Sequence, residues 1–270
     1  MRALFAPLAA AALTLVAAPA SAQLAPPNDA GVTWGHIHLT VEDVGLHERI
    51  WTEHFGGNAV QKGPLHTVRL PSTVMIFTER EPTGPSRGSG VDHFGFSVPD
   101  LAAFLERWQA DGFEVEAEFE GYGGRPQAYI TVPDGIRVEL QEIPDLDVPA
   151  EPYHVHIYTR GDVEELRDWY VDLFSMTPRV RGSIPVTADV PGMNVSFGAA
   201  EGEVSGTRGR AVDHIGFEVD DLKAFTDRLT ALGIEFDVAY REIDSIELAI
   251  AFFTDPSGVY IELTEGLDRY

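Results

Sequence analysis

The chain of 270 residues contains no cysteine. This absence excludes a disulfide framework, a thiolate metal site and a cysteine nucleophile. Imidazole and carboxylate side chains are therefore the main ligands available for any metal that the protein binds.

Basic residues are also scarce. The sequence has 19 Lys and Arg residues against 43 Asp and Glu residues, which gives a formal net charge of −24 at pH 7. Nucleic acids and anionic membrane surfaces require a basic footprint, so the composition argues against both as partners. We interpret the acidic excess as an aid to solubility outside the cytoplasm.

A long apolar run occurs only at the N-terminus. Arg2 precedes an Ala/Leu-rich stretch over residues 3–18, and Ala20-Ser21-Ala22 forms a small-residue cleavage signal. This pattern is typical of a signal peptide. We predict that residues 1–22 are removed after Ala22, that the protein is exported to a bacterial periplasm, and that the mature form has no membrane span. Residues 23–30 are expected to form a flexible leader.

An eight-residue phrase occurs twice, as VDHFGFSV at residues 91–98 and as VDHIGFEV at residues 212–219. Its histidines, His93 and His214, are followed 46 and 48 residues later by Glu139 and Glu262 in strand-like runs. A further histidine precedes each of them by 57 and 60 residues, His36 and His154 respectively. The order His, His, Glu therefore appears twice with nearly equal spacing.

Turn residues and apolar periodicity divide the chain into repeats of one strand, one helix and three strands. The four βαβββ modules span residues 31–80, 90–143, 153–200 and 211–265. We predict an α+β fold in which successive modules pair into two cupped mixed-sheet domains, residues 31–143 and 153–270, joined by a linker at 144–152. His47 and His54 fall on the first predicted helix and are expected at the surface.

Two imidazoles and one carboxylate on one side of a metal form a facial triad with open positions. This set suits Fe(II) and tolerates Mn(II), Co(II), Ni(II) and Zn(II). With successive modules paired, one divalent metal is expected on His36, His93 and Glu139. A second is expected on His154, His214 and Glu262. His38 and His156 share a strand face with His36 and His154, so they are candidates for substrate contacts, for contacts to the ligands, or for alternative ligands.

Residues 32–265 resemble the vicinal oxygen chelate superfamily, which includes glyoxalase I, bleomycin-resistance proteins, fosfomycin-resistance enzymes and type I extradiol dioxygenases. The motifs that carry the resemblance are D-H-[FI]-G-F-x-V and P-[DS]-G-x-x-[VI]-E-L, each present twice. The resemblance implies paired βαβββ modules and a small substrate that chelates a metal through adjacent oxygens. It does not by itself name a reaction.

The resemblance also bears on the ligand count. Glyoxalase I takes a fourth ligand from a strand position that corresponds here to Phe77 and Phe197, so this chain is more similar to the three-ligand set of extradiol dioxygenases. The strand tyrosine of those dioxygenases corresponds to Tyr129, which is expected to hydrogen-bond the substrate, and to Phe252 in the second half. Their acid/base histidine has no match, and His66 is the candidate for that role.

An extradiol-type oxygenase is therefore the leading reaction, with a lyase or isomerase as the alternative. A thiol cosubstrate found in the cytosol makes glyoxalase I chemistry less suited to a periplasmic protein. A non-catalytic binding protein of the bleomycin-resistance type is the third reading. Tyr122 and Arg125, in a Gly-rich loop, are candidate lid residues over the substrate. We expect a monomer or a homodimer.

Overall fold

The computed structural model describes residues 23–269, so the predicted signal peptide lies outside the described residues. Within that range the order strand, helix, three strands occurs four times. This confirms the α+β class and the four βαβββ modules. No helix among the described residues is both long and apolar enough to cross a membrane.

The elements are numbered in chain order. Module one comprises β1 (Val32–Val41), α1 (Val44–Glu53), β2 (Asn58–Lys62), β3 (Leu65–Leu70) and β4 (Thr73–Glu79). Module two comprises β5 (Val91–Val98), α2 (Leu101–Ala110), β6 (Glu114–Glu120), β7 (Pro126–Val132) and β8 (Ile136–Glu142). Module three comprises β9 (Glu151–Thr159), α3 (Val163–Phe174), β10 (Thr177–Arg181), β11 (Ile184–Val190) and β12 (Met193–Ala199). Module four comprises β13 (Val212–Val219), α4 (Leu222–Ala231), β14 (Phe236–Ile243), β15 (Leu248–Thr254) and β16 (Tyr260–Glu265).

An aspartate begins every α-helix. Asp43, Asp100, Asp162 and Asp221 each accept a hydrogen bond from a backbone N–H of the first turn. These N-caps satisfy donors that the helix cannot pair internally, and each contributes about 1 kcal/mol. The acidic turn after each first strand therefore fixes where the helix starts.

The modules pair across the chain rather than along it. One eight-stranded sheet has the order β14-β15-β16-β13-β1-β4-β3-β2 and joins modules one and four. The other has the order β10-β11-β12-β9-β5-β8-β7-β6 and joins modules two and three. We call them the 1–4 sheet and the 2–3 sheet. The expected pairing of successive modules within each sheet is thus wrong.

Successive modules meet through their helices instead. Phe55, which follows α1, packs edge-on against Phe96 of β5 with ring centroids 5.0 Å apart. Phe174 of α3 stacks on Phe217 of β13 at 4.1 Å. These contacts place the helices between the two sheets in one apolar core. The face of each sheet that points away from the helices is left to form a cup.

Two further expectations are corrected by this packing. His47 and His54 are buried, and each pairs with an aspartate of module two, Asp134 at 2.9 Å and Asp111 at 3.0 Å. They face α2 and the β7–β8 turn because α1 is covered by module two. The leader also packs against the fold, since Leu24 is buried in a small apolar cluster.

Candidate metal centres

The cup of the 1–4 sheet contains a cluster of metal-ligand side chains, which we call site A. It comprises His36 and His38 on β1, His214 on β13 and Glu262 on β16, each with one ligand atom within 4.8 Å of the others. Glu262 Oε2 lies 2.9 Å from His36 Nε2 and 2.9 Å from His214 Nε2. The carboxylate therefore joins histidines from two modules.

The cup of the 2–3 sheet contains the corresponding cluster, site B. Its imidazoles are His93 on β5 and His154 and His156 on β9, again with ligand atoms within 4.8 Å of one another. Glu139 Oε2 on β8 lies 3.2 Å from His93 Nε2 and 3.6 Å from His154 Nε2. Site B is therefore built like site A, with a somewhat looser carboxylate.

The six residues predicted as metal ligands all lie in these two clusters, but the predicted grouping of the six is wrong. His36 and His93 were expected on one metal with Glu139, but they lie in different sheets. His154 and His214 are separated in the same way. Because module one pairs with module four, His36 joins His214, and His154 joins His93. Each cup therefore contains two of the four histidines and one of the two glutamates that were predicted as ligands.

A β-bulge brings an aspartate to one histidine of each site. Between β5 and β9 the pairs Val91–Ile157 and His93–His156 leave Asp92 as an extra residue, and Asp213 is extra between β1 and β13. A bulge redirects a side chain that a regular strand would send to the opposite face. Asp213 Oδ1 lies 2.6 Å from His214 Nδ1, and Asp92 Oδ1 lies 2.8 Å from His93 Nδ1.

These aspartates fix the tautomer that a metal requires. With Nδ1 donating to the carboxylate, Nε2 is the nitrogen that faces the centre of the cup, where a bound metal would replace its proton. The repeated Asp-His pair in the sequence was the signal for this role, and it was missed. The same phrase supplies a glycine two residues later, whose function the structure also explains.

That glycine makes room for the second histidine. The His36 ring lies against Gly216, where an added Cβ would overlap the ring atoms Cε1 and Nδ1. The His154 ring lies against Gly95, where an added Cβ would stand 2.6 Å from Cε1. Neither glycine has a positive φ, so space rather than backbone conformation requires glycine.

The electrostatics of site A favour a cation. Burial lowers the pKa of His36, so this imidazole is neutral. Burial also acts to lower the pKa of His214, but the hydrogen bonds with Asp213 and Glu262 outweigh it and raise this pKa to about 9. Burial acts to raise the pKa of Glu262, yet the hydrogen bonds from His214 and His36 hold it well below its usual value. The carboxylate is therefore ionised.

Unpartnered polar atoms indicate that both cups fit a metal. Buried nitrogens without a hydrogen-bond partner among residues 23–269 include Nδ1 of His36, Nδ1 of His38 and both ring nitrogens of His154. A buried polar atom without a partner is costly. A divalent cation coordinated by the converging nitrogens and the carboxylate removes that cost.

The surroundings of site A are partly aromatic. Phe252 and Tyr260 stack on each other at 5.0 Å, and each lies edge-on to the ring of His214. They line a cavity of about 510 Å³ into which His38 and His214 also face. Arg208 stands at its edge, 4.8 Å above the Tyr260 ring. Site A is therefore reached directly from this cavity.

Site B is surrounded by hydrogen-bond donors. Glu139 accepts from Tyr153 Oη at 2.7 Å, from Gln127 Nε2 at 3.0 Å and from Tyr129 Oη at 3.1 Å. Burial together with the charge of Glu139 raises the pKa of both tyrosines. Tyr129 thus lies beside the centre and donates to the glutamate, and its hydrogen bond to a substrate stays a prediction. Tyr153 and Gln127 were missed, and the only signal was the position of Tyr153 next to His154.

The predicted fourth-ligand positions were displaced by one residue. Phe77 and Phe197 point to the helix side, where Phe197 packs on Tyr170 at 5.2 Å. In module four, Glu262 of β16 lies opposite Gly216 of β13. The corresponding pair in module one is Ile76 of β4 opposite His38 of β1. In the other sheet the equivalent residue is Ser196, opposite His156. The two fourth-ligand positions are therefore occupied by Ile76 and Ser196, neither of which is a carboxylate.

Three other predicted residues have clear locations. His66 is wrong as an acid/base group, because it lies on the helix side of β3 and binds Glu48 at the surface. Tyr122 is 73% exposed, in the loop beside the turn at Gly182. Arg125 lines a cavity beside site B.

The four βαβββ modules, with a His/Glu cluster in each cup that could hold a metal, agree with the sequence comparison. The sequence profile of the Glyoxalase/Bleomycin resistance protein/Dioxygenase superfamily matches residues 25–140 and 153–263. The chain belongs to this superfamily. Comparison with curated protein sequences gives no match.

Solved structures share the fold over most of the chain. Glyoxalase I from Zea mays superposes with a TM-score of 0.66 at 18% identity, over 88% of this chain and 93% of the maize chain. A candidate dioxygenase from Bacillus subtilis subsp. subtilis superposes with a TM-score of 0.65 at 13% identity, over 92% of this chain and 87% of that one. At this level of identity the likeness establishes the fold and leaves the reaction open.

Proposed function

We propose that the protein is a divalent-metal-dependent enzyme, exported to the periplasm, that acts on a small substrate chelating the metal through adjacent oxygens. Extradiol-type oxygenation at site A, with Fe(II), is the leading reaction. The observation that carries the proposal is the position of Glu262 Oε2, 2.9 Å from the Nε2 atoms of both His36 and His214. Three ligands thus converge from one side of the cup.

The opposite side of site A is open to substrate. Ile76 occupies the position where a four-ligand centre would need a carboxylate, and the cavity of about 510 Å³ adjoins His38 and His214. A divalent iron held by His36, His214 and Glu262 would supply free coordination positions and redox chemistry. The chain itself binds the substrate and controls its protons.

His38 is the residue placed to handle a proton. One of its ring nitrogens, Nε2, is engaged by Thr78 Oγ1 at 2.8 Å, and Nδ1 has no partner in the described part of the chain. A hydroxyl of a substrate in the cup can exchange its proton with Nδ1. His38 thereby takes the role for which His66 was the candidate. Phe252 and Tyr260 provide apolar faces on which a planar ring can stack.

Oxygen uptake with a catechol tests the proposal. Protein loaded with Fe(II) without oxygen should consume O₂ and form a ring-cleaved product on addition of catechol. His38→Ala should retain iron and lose turnover, whereas His66→Ala should retain both. Absence of O₂ uptake by protein shown to hold iron at site A would refute the oxygenase assignment.

A lyase or isomerase is the second candidate, and His38 is also the observation that favours it. Its ligand atom lies within 4.8 Å of those of His36, His214 and Glu262, so the four groups can complete a four-ligand centre. In that case His38→Ala should lower metal affinity, and Zn(II) or Ni(II) should support turnover without oxygen. If neither metal class supports turnover, the protein is a binding module.

A further inference from the structure

A second cavity lies in the cup of the 2–3 sheet, beside site B. It has a volume of about 540 Å³. Tyr153 stands between the two, since its ring lines the cavity while its hydroxyl donates to Glu139 at 2.7 Å. The cavity therefore adjoins the metal centre without being part of it.

Guanidinium groups dominate the charge of this cavity. Arg181 lies 5.0 Å above the Tyr153 ring, and its Nε is buried without a hydrogen-bond partner among the described residues. Arg125 reaches in from the loop of module two and donates to the neutral amide of Gln141 at 3.2 Å. Within residues 23–269, neither arginine has a carboxylate within 4.0 Å.

The other cup shows that the fold does not require this polarity. In the 2–3 sheet Asn194 lies opposite His154, and in the 1–4 sheet Val74 lies opposite His36, so Asn194 and Val74 occupy equivalent positions. Ser196 and Ile76 are equivalent in the same way. At that end the 1–4 sheet carries an apolar cluster. Its buried members are Leu24, Val74, Ile76, Leu248, Ile250 and Leu267. Two duplicated cups thus differ at equivalent positions, one filled by apolar side chains and one lined by arginine and amide groups.

We propose that this cavity binds the carboxylate of a small organic acid, with Arg181 and Arg125 as the anion-binding residues. Planar guanidinium groups match the two oxygens of a carboxylate. Val190 and Met193 on the lining provide an apolar surface for the body of the acid. This second ligand site goes beyond the function proposed for site A.

The rim of the cavity selects a monoanion. Glu151 and Asp189 also line it, and Asp189 is neutralised by Arg179 at 2.7 Å. Arg125 and Arg181 together with Glu151 then leave one net positive charge, which balances one carboxylate but not a dianionic phosphate. A carboxylate paired with Arg181 also satisfies its buried Nε atom, which lacks a hydrogen-bond partner among the described residues.

Direct binding to metal-free protein tests the proposal without reference to turnover. Titration calorimetry would use benzoate, neutral benzamide of the same shape, and inorganic phosphate as probes. Benzoate should bind at least about tenfold more tightly than benzamide or phosphate, a difference of about 1.4 kcal/mol. Arg181→Met and Arg125→Met should each remove most of that preference, while retaining the apolar stem of the side chain.

Arg160→Met is the control, because Arg160 is an exposed arginine that lines neither cavity. It should bind benzoate as the wild-type protein does. Equal affinity for benzoate and benzamide, unchanged benzoate binding by both arginine variants, or no benzoate binding at about 10 mM would overturn the proposal. Phosphate binding as tight as benzoate binding would overturn the selection of a monoanion.

Discussion

Replacing Gly216 by alanine should dismantle site A without unfolding the protein. An added Cβ would overlap Cε1 and Nδ1 of His36, so the ring must retreat by roughly 1 Å or more, because ordinary carbon contacts are about 3.5–4.0 Å. Ligand distances at a metal tolerate about 0.2 Å. Overpacking of this kind costs about 1–3 kcal/mol. Gly216→Ala should therefore lose the metal of site A while the protein stays folded.

Elemental analysis of metal-loaded protein measures the effect, with thermal unfolding beside it. Gly216→Ala should retain the metal of site B and lose that of site A, whereas Gly95→Ala, which crowds His154, should do the reverse. Gly202→Ala is the control, because Gly202 has open space around its Cβ position. If Gly216→Ala keeps the wild-type metal content and affinity, the packing of His36 on Gly216 does not hold the ligand in place.

Three further results are expected. Asp213→Asn should weaken metal binding at site A by about 10–100-fold in a competition titration, because the carboxylate orients His214; unchanged affinity would contradict this role. Metal-free protein should lose stability between pH 6.5 and pH 9, by up to about 3 kcal/mol in denaturant unfolding. The sign follows from His214, whose raised pKa of about 9 gives stabilisation that is complete below its unfolded pKa and is lost as the pH rises through 9; a flat profile in this window would be inconsistent with it. His66→Ala should leave metal content and turnover unchanged, since this side chain binds only Glu48 at the surface, and a loss of either would restore it as a site residue.

Local features of the fold were predictable because they depend on short-range chemistry. In the helices over residues 101–110 and 163–174, an aspartate N-cap marks the start and apolar spacing marks the buried face, and both features are visible in the sequence. The histidines and glutamates of both sites followed from the repeat alone. Their presence in cups was implied by alternation along the strands.

The pairing of modules was not predictable in the same way. Every module offers a similar first strand and a similar apolar helix, so pairing one with two or one with four satisfies the same local patterns. The choice depends on which helices pack together, as Phe55 does against Phe96. The bulges at Asp92 and Asp213 were equally hidden, because β5 and β13 are buried on both faces and show no alternating pattern that an extra residue would break. Phe77 was misplaced by one residue for a related reason, because strand register beyond a turn cannot be counted reliably from the sequence.

Metal content of paired histidine variants tests the central claim most directly. After loading with Fe(II), the wild-type protein should hold two metals per chain by elemental analysis. His36→Ala combined with His214→Ala should lose one metal, because both ligands belong to site A, whereas His36→Ala combined with His93→Ala should lose both. Loss of one metal by the second combination and of two by the first would contradict the assignment of ligands to the two cups, and a wild-type protein that holds no metal after loading would contradict the existence of the centres.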